Sequence, residues 1–167
     1  MAIAKPNPRN LPLAIGVAVV LVGLDQLTKY LVVQQMHLRE IGAIPVGPFL
    51  NFQMAWNTGV NFGLLGGDSD TARWLLVGFT ALMGIAILCG AMWTRHTIHV
   101  IGLGIAAGGA LGNMIDRVYY GAVADFLNVS CCGIENPWSF NVADIAIFAG
   151  FGLLFWPTNR ETGDVAV

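Results

Sequence analysis

The stretch LPLAIGVAVVLVGLDQLTKYLVV, residues 11–33, decides the fold class. Its polar side chains are few and fall close together, at Asp25, Gln26, Thr28 and Lys29. About 20 predominantly apolar residues are enough for an α-helix to cross the hydrocarbon core of a bilayer. Inside that core every backbone polar group must be hydrogen-bonded within the chain, which a helix achieves. The stretch therefore predicts a membrane-spanning helix that carries charged residues.

Three further apolar stretches follow, at about 74–93, 98–117 and 138–156. Of the 167 residues, 56% are hydrophobic and 11% are charged, whereas roughly 25% of the residues of a soluble domain are charged. This is too little charge to cover a water-exposed surface. We therefore expect a single integral membrane domain over residues 1–167, built as a membrane α-helical bundle of four transmembrane helices.

The third stretch also carries a packing signal, because Gly104, Gly108 and Gly112 recur at a spacing of four. Small residues at this spacing let two helices approach closely in lipid. No strand precedes these glycines, so a helix-packing face is preferred over a phosphate-binding loop. The net charge of −2 and the absence of a basic run predict no nucleic-acid partner.

Basic residues indicate which side of the membrane each connection faces. One side of the predicted layout carries Lys5, Arg9, Arg95 and Arg160, and the other carries Arg39 and Arg73, with Arg117 at its margin. The positive-inside rule then places both termini in the cytoplasm. The segments at about 34–73 and 118–137 are therefore expected to be external.

The first external segment shows the alternation of a half-buried strand from Leu50 to Asn57. A turn signal at 57–59 is followed by a second alternation through Val60, Phe62 and Leu64. We expect a small external β-rich cradle between the first and second helices. A lid that only caps the bundle and a surface that contacts substrate are both open interpretations, since loops on rigid scaffolds often carry function.

Polar residues inside the membrane are costly, so they are candidates either for function or for pairing. Asp25 and Lys29 are four residues apart in the favourable order for a helical ion pair, which is the preferred interpretation. Asn113, Asp116 and Arg117 share one helical face. We expect a structural role for Asp116, whereas Arg117 is open between holding Asp116, binding a substrate carbonyl and ordering a loop.

Two aspartates differ from these, because Asp125 and Asp144 each follow a Val-Ala pair and have no basic residue within four positions. Burial without a neighbouring cation raises the pKa of a carboxyl group, and two such groups placed close together do not both ionise. One can then activate water while the other protonates a carbonyl oxygen, which is the chemistry of peptide hydrolysis. Asn141, one helical turn before Asp144, is a candidate to position substrate or to bond the backbone.

From the residues alone, a catalytic dyad and a proton-relay or ion-pairing role are equally open for Asp125 and Asp144. The alternative function is a small proton-coupled transporter or channel subunit, with the intramembrane aspartates as its relay. His37, His96 and His99 are scattered over both sides of the membrane, so we expect no metal site. Cys131 and Cys132 lack a basic activator, which argues against a thiol nucleophile. We expect no cofactor.

Five short motifs stand in a familiar order: DQLTK at 25–29, NTG at 57–59, GNMIDR at 112–117, VADF at 123–126 and FNVAD at 140–144. With them the chain resembles the lipoprotein signal peptidases, the type II signal peptidases of bacterial inner membranes. The resemblance implies an aspartyl endopeptidase, active near the external face, that cuts diacylglyceryl-modified prolipoproteins on the amino side of the lipidated cysteine. Membrane lipids and these substrates are the expected partners, with no obligate protein partner.

The resemblance also implies residue roles, which we carry over position by position. Asp125 and Asp144 match the catalytic pair. The residues that match substrate-binding or site-supporting positions are Asp25, Lys29, Asn57, Gly59, Asn113, Asp116, Arg117 and Asn141. The sequence departs from the family pattern after Gly59, where Val60 and Asn61 stand in place of two alanines.

Overall fold

The computed structural model describes residues 5–59, 70–130 and 136–158. Its helices, in chain order, are α1 at Asn10–Lys29 with a π-helical continuation at Tyr30–Gln35, α2 at Leu38–Ile41, α3 at Asp70–Gly90 with a 3-10 turn at Ala91–Trp93, α4 at Thr97–Tyr119, and α5 at Val142–Gly152 with a 3-10 turn at Leu153–Phe155. The strands are β1 at Ala43–Pro45, β2 at Leu50–Asn57, β3 at Val123–Val129 and β4 at Ser139–Phe140.

Three helical segments among the described residues are long and apolar enough to cross a membrane: Asn10–Gln35, Asp70–Trp93 and Thr97–Tyr119. A shorter apolar helix, Val142–Phe155, follows them. The predicted span at 138–156 begins too early, because strand β4 and the helix cap Asn141 occupy its first positions. The backbone of Asn141 is extended, with φ of −132°, so the helix cannot start before it.

Helix α4 packs against α1, α3 and α5 and so lies at the centre of the bundle. The predicted glycine face makes this possible. A Cβ on Gly104 would lie 2.7 Å from the carbonyl oxygen of Ala14, and one on Gly108 would lie 2.8 Å from that of Ala18. Backbone atoms cannot move aside as flexible side chains can. Glycine at these two positions therefore sets the distance between α4 and α1.

The four strands form one antiparallel sheet in the order β1-β2-β3-β4. The predicted strand at Leu50–Asn57 is present, and the predicted connection between the first two long helices supplies β1 and β2, but the sheet extends beyond this connection. Half of its strands come from the connection between α4 and α5. The second alternation, at Val60, Phe62 and Leu64, lies outside the described residues.

The sheet is fixed to the end of α1 by a small apolar core. Val32 of the π-helical segment, Leu38 of α2 and Phe126 of β3 form this buried cluster. The ring of Phe126 also meets that of Phe52 edge to face, with centroids 5.9 Å apart. Because β3 is held on this side by Phe126, the neighbouring Asp125 points to the opposite face of the sheet, toward the helices.

Candidate active site

Asp125 and Asp144 come from different elements, β3 and the first turn of α5, and Asn141 joins them. Nδ2 of Asn141 donates a hydrogen bond to Oδ1 of Asp125 across 2.6 Å. Oδ1 of Asn141 accepts from the backbone N–H of Asp144 at 2.9 Å, and Oδ2 of Asp144 accepts from the backbone N–H of Asn141 at 3.2 Å. This reciprocal pair is a capping box. One residue thus caps α5 and binds the other aspartate.

Asn113 of α4 forms a second link in the same cluster. Its Nδ2 donates to Oδ1 of Asp144 across 2.8 Å. Its Oδ1 accepts from Nδ2 of Asn141 at 3.0 Å and from Nζ of Lys29 at 3.2 Å. The orientation of the amide is consistent with every bond it makes, because each nitrogen donates and each oxygen accepts. Asn113 therefore connects the aspartates to the charged residues of α1.

Lys29 is 1% exposed and lies between two carboxylates that are fully buried. Its Nζ is 2.8 Å from Oδ2 of Asp25, which confirms the predicted ion pair, and 2.7 Å from Oδ2 of Asp116. Gln26 bonds both acids, at 3.2 Å from Asp25 and 2.9 Å from Asp116. We refer to Asp25, Lys29 and Asp116 as the ion triad. It holds α1 and α4 together by charge as well as by packing.

The ion triad also holds the backbone just before each aspartate of the pair. Oδ1 of Asp25 accepts from the N–H of Ala143 at 3.0 Å, and Oδ2 of Asp116 accepts from the N–H of Ala124 at 3.1 Å. The two Val-Ala-Asp sequences thus present equivalent donors to the two acids that Lys29 joins. In each sequence the alanine N–H is bound one residue before Asp125 or Asp144.

Gly112 leaves the space that this arrangement needs. A Cβ at Gly112 would lie 2.6 Å from Oδ2 of Asp25, the oxygen that binds Lys29. Asp25 is fixed by three donors in the described structure, so its carboxylate has no free direction in which to retreat. The glycine that precedes Asn113 is therefore required by the ion triad.

Asp125 is 3% exposed, and its environment disfavours the charged form. Burial, together with the nearby charge of Asp144, raises the pKa of Asp125 from 3.8 to about 6. Hydrogen bonding by the side chains of Asn57 and Asn141 and the positive charge of Lys29 lower this pKa in part. Asn57 reaches Asp125 from the neighbouring strand β2. Ala55 lies directly opposite Asp125, and Asn57, two residues further along β2, is the diagonal neighbour of Asp125.

Arg117 and Gly59 are the remaining two predicted site residues. Nη1 of Arg117 donates to the backbone oxygen of Asn113 at 3.2 Å, whereas its buried Nε has no partner among the described residues. Of the three roles left open for Arg117, an ion pair with Asp116 does not form, since Asp116 binds Lys29 instead. Gly59 has φ of +77° and lies beside Arg117, where its N–H donates to Oδ1 of Asn57 at 2.9 Å. Only a residue without a Cβ adopts this backbone easily.

Sequence reasoning missed Gln26 as a member of the cluster, although it stands inside the DQLTK motif and is polar within an apolar stretch. Cys131 and Cys132 lie outside the described residues. Among the residues described, no group of three His, Cys, Asp or Glu side chains is arranged to hold a metal ion.

The apolar helices, the small antiparallel sheet and the acid cluster between them define a membrane-enzyme fold. Two solved bacterial membrane enzymes, determined by the in meso method at 2.3 and 1.9 Å resolution, match it with TM-scores of 0.68 and 0.71. They are 28% and 29% identical to this chain, and each match covers 92% of it and 90% or 95% of the other chain.

The sequence profile of the signal peptidase (SPase) II family matches residues 17–159. The lipoprotein signal peptidase of Rhodopseudomonas palustris strain TIE-1 is 38% identical, over 87% of this chain and 92% of its own length. That of Symbiobacterium thermophilum is 42% identical, over 86% of this chain and 91% of its own. The chain belongs to the signal peptidase II family, a family of proteases. Membership favours hydrolysis over the alternative of proton-coupled transport.

Proposed function

We propose that this protein is an intramembrane aspartyl endopeptidase that removes signal peptides from diacylglyceryl-modified prolipoproteins, cutting on the amino side of the lipidated cysteine. The observation that carries the proposal is the bridge made by Asn141, which binds Asp125 and caps Asp144 at once. Two carboxyl groups held together by shared amides, one buried (Asp125) and one partly buried (Asp144), are suited to share one proton. The family and the named relatives support the choice of substrate.

The two carboxyl groups divide the chemistry between them. We assign the shared proton to Asp125, because it is the more deeply buried of the two and burial beside Asp144 raises its pKa. Asp144 is the base, since its two oxygens accept from Asn113 and from the backbone of Asn141. Asp144 takes a proton from water as the water oxygen adds to the scissile carbonyl carbon, and Asp125 gives its proton to the carbonyl oxygen. As the tetrahedral intermediate collapses, its hydroxyl proton returns to Asp125, the C–N bond breaks, and the proton that Asp144 took from water passes to the departing amine.

The other predicted residues support this centre. Asn57 and Asn113 orient the carboxyl groups, and the ion triad fixes the backbone before each of them. Arg117 is a candidate to bind a substrate carbonyl, because its Nε is buried and unpartnered among the described residues. Gly59 allows the turn that aims Asn57. The chemistry needs neither a metal ion nor an organic cofactor, since carboxylates alone activate the water.

The placement in the membrane follows from the sequence arguments. Four transmembrane helices with both termini in the cytoplasm place the sheet and the aspartates near the external face of the bacterial inner membrane. The substrate then reaches the site laterally, with its acyl chains in lipid and its scissile bond beside Asp125 and Asp144. The sheet serves as a cradle for the substrate peptide, with strand β2 lying beside the site.

The test uses purified protein in detergent and a synthetic prolipoprotein peptide that bears diacylglyceryl-cysteine. We expect mass spectrometry to detect cleavage immediately before the lipidated cysteine, lost in Asp125→Asn and in Asp144→Asn. Asp70→Asn is the matched control, because Asp70 is exposed at the start of α3 and 3.7 Å from Arg73. Cleavage by either folded dyad variant at the rate of the control would remove that aspartate from the catalytic role.

A further inference from the structure

A cavity lies on the other side of the sheet from the aspartates. It has a volume of about 420 Å³, within the usual range for small-ligand sites. The residues that line it are Val33, His37, Arg39, Glu40, Trp56, Tyr120 and Ala122. Trp56 pairs with Ala124 across β2 and β3, whereas Ala55 pairs with Asp125. Since successive side chains point to opposite faces of a sheet, this cavity is separate from the acid cluster.

The backbone around the cavity is unusual in two respects. The π-helical segment Tyr30–Gln35 shortly precedes the cavity-lining residues His37, Arg39 and Glu40. The π-helix is a rare conformation that often occurs at functional sites. His37 then has φ of 49° and ψ of 37°, and it is the one residue other than glycine with a positive φ in the described part of the chain. A left-handed histidine is uncommon and is a reason to look for function.

Three ionisable side chains meet at this cavity without partners. His37, Arg39 and Glu40 have no side-chain hydrogen bond or ion pair to any described residue. Their neighbours are an aromatic pair, because the rings of Trp56 and Tyr120 lie 5.3 Å apart. The hydroxyl of Tyr120 accepts a weak hydrogen bond from Gln34 at 3.4 Å. A cation, an anion and aromatic faces are thus available to a ligand at the same time.

This combination fits a ligand that carries both signs of charge. A guanidinium binds phosphate oxygens through paired hydrogen bonds, and a histidine adds a further donor. A carboxylate accepts from a primary ammonium, which is also attracted to aromatic faces. Glu40 would repel a ligand that carries only negative charge.

The position of the cavity relative to the apolar helices indicates that such a ligand comes from the membrane. It lies at the end of the apolar helix Asn10–Gln35, where the side chains of Tyr30 and Leu31 are 46% and 44% exposed. Aromatic side chains such as Trp56 and Tyr120 are typical of the level of lipid headgroups. Acyl chains can lie along the apolar helix while the headgroup reaches the cavity.

We propose that this cavity binds the phosphoethanolamine headgroup of a membrane phospholipid, with Arg39 and His37 on the phosphate and Glu40 on the ammonium. The site is independent of the catalytic assignment, because none of the residues that line it belongs to the acid cluster.

The test measures equilibrium binding of short-chain dihexanoyl lipids to the purified full-length protein in a nonionic maltoside detergent. We expect saturable binding of dihexanoyl-phosphatidylethanolamine, weakened about tenfold or more by Arg39→Gln and by Glu40→Gln, which is the usual scale for losing one charge-assisted contact. Arg95→Gln is the matched control, because Arg95 is exposed in the turn between α3 and α4 and lines no part of the cavity.

Comparing lipids with different headgroups distinguishes the proposed ligand from other lipids. Phosphatidylcholine should bind more weakly, because its quaternary ammonium has no N–H for Glu40, and phosphatidylglycerol should bind well only after Glu40→Gln. Equal binding of the ethanolamine and glycerol lipids by the unmutated protein would overturn the zwitterionic assignment. Equal binding of free glycerophosphoethanolamine would overturn the membrane as the source. Loss of binding with cleavage intact in both cavity variants would support a lipid site that is distinct from the protease centre.

Discussion

Asn141 donates to Asp125 across 2.6 Å, while its side-chain oxygen caps helix α5 by accepting from the backbone N–H of Asp144. A single side chain therefore bridges the two aspartates, and its conformation is fixed at both ends. A small displacement of Asn141 therefore moves both carboxyl groups.

This bridge is tested by comparing Asn141→Ser with Asn141→Ala. Serine keeps an oxygen that can cap α5, whereas alanine loses it at a cost of about 1 kcal/mol of stability. Neither residue reaches Asp125, so we expect kcat to fall by about 100-fold in both, as misplaced catalytic groups typically cause. Thermal unfolding and cleavage kinetics measure the two effects separately. A serine variant with unchanged kcat would show that the cap alone matters.

Asp125 should also set the pH dependence of cleavage. Its pKa of about 6 means that the carboxyl group holds its proton below this pH and loses it above. The mechanism needs that proton, so we expect kcat/KM, which reports the free enzyme, to decline as the pH rises above about 6. Initial rates with the lipidated peptide between pH 5 and 9 provide the measurement. A profile that stays flat to pH 9 would contradict the assignment of Asp125 as the acid.

The same carboxyl group affects stability with a defined sign. A folded-state pKa above the reference value of 3.8 means that the folded protein binds the proton more tightly than the unfolded chain. The contribution of this group to the free energy of unfolding is therefore fully present below pH 3.8 and is lost as the pH rises to about 6. The difference in the free energy of unfolding is up to about 3 kcal/mol. Asp125→Asn should unfold at a higher temperature than the unmutated protein at pH 8, and at a similar temperature at pH 4. A lower unfolding temperature of Asp125→Asn at pH 8 would contradict the conclusion that the ionised carboxylate of Asp125 destabilises the folded protein.

Lys29→Met tests the ion triad. It leaves Asp25 and Asp116 buried without their cation, and breaking a buried ion pair costs about 3–5 kcal/mol. We expect a large fall in unfolding temperature, partly restored by the second substitution Asp116→Asn. Lys5→Met is the control, because Lys5 is exposed. Unfolding of Lys29→Met at the control temperature would show that the triad contributes nothing to stability.

Gly104→Ala and Gly16→Ala form a matched pair for helix packing. A methyl group at Gly104 meets the backbone oxygen of Ala14 at 2.7 Å, whereas at Gly16 it has no atom within 4 Å. Overpacking typically costs about 1–3 kcal/mol, so Gly104→Ala should lower the unfolding temperature and Gly16→Ala should not. Equal unfolding temperatures for the two variants would mean that α1 and α4 separate without penalty.

Much of this arrangement could be predicted from sequence because its signals are local. Apolar length indicated the long helices, the four-residue spacing of Asp25 and Lys29 indicated their ion pair, and alternation indicated β2. These patterns depend on neighbours along the chain.

The remainder depended on contacts that no local pattern encodes. Alternation in β2 shows which side chains share a face but does not identify β3 as the partner strand. Strand β3 is buried on both faces over most of its length, so it shows no alternation at all. The second partner of Lys29, Asp116, lies on another helix. The start of α5 depends on Asn141, which resembles any polar residue in an apolar stretch until its hydrogen bonds are known.

The pairing of β2 with β3 has a consequence for how the protein is made. Ala55 and Asp125 lie opposite each other, yet helices α3 and α4 separate them along the chain. During synthesis, β2 leaves the ribosome long before its partner and has to wait until both helices have been inserted. A nascent chain that stops before β3 therefore contains Asn57, Asn113 and the ion triad but no aspartate of the pair. On the proposed mechanism, proteolytic activity requires synthesis at least as far as Asp144, so a half-built copy cannot cut its neighbours.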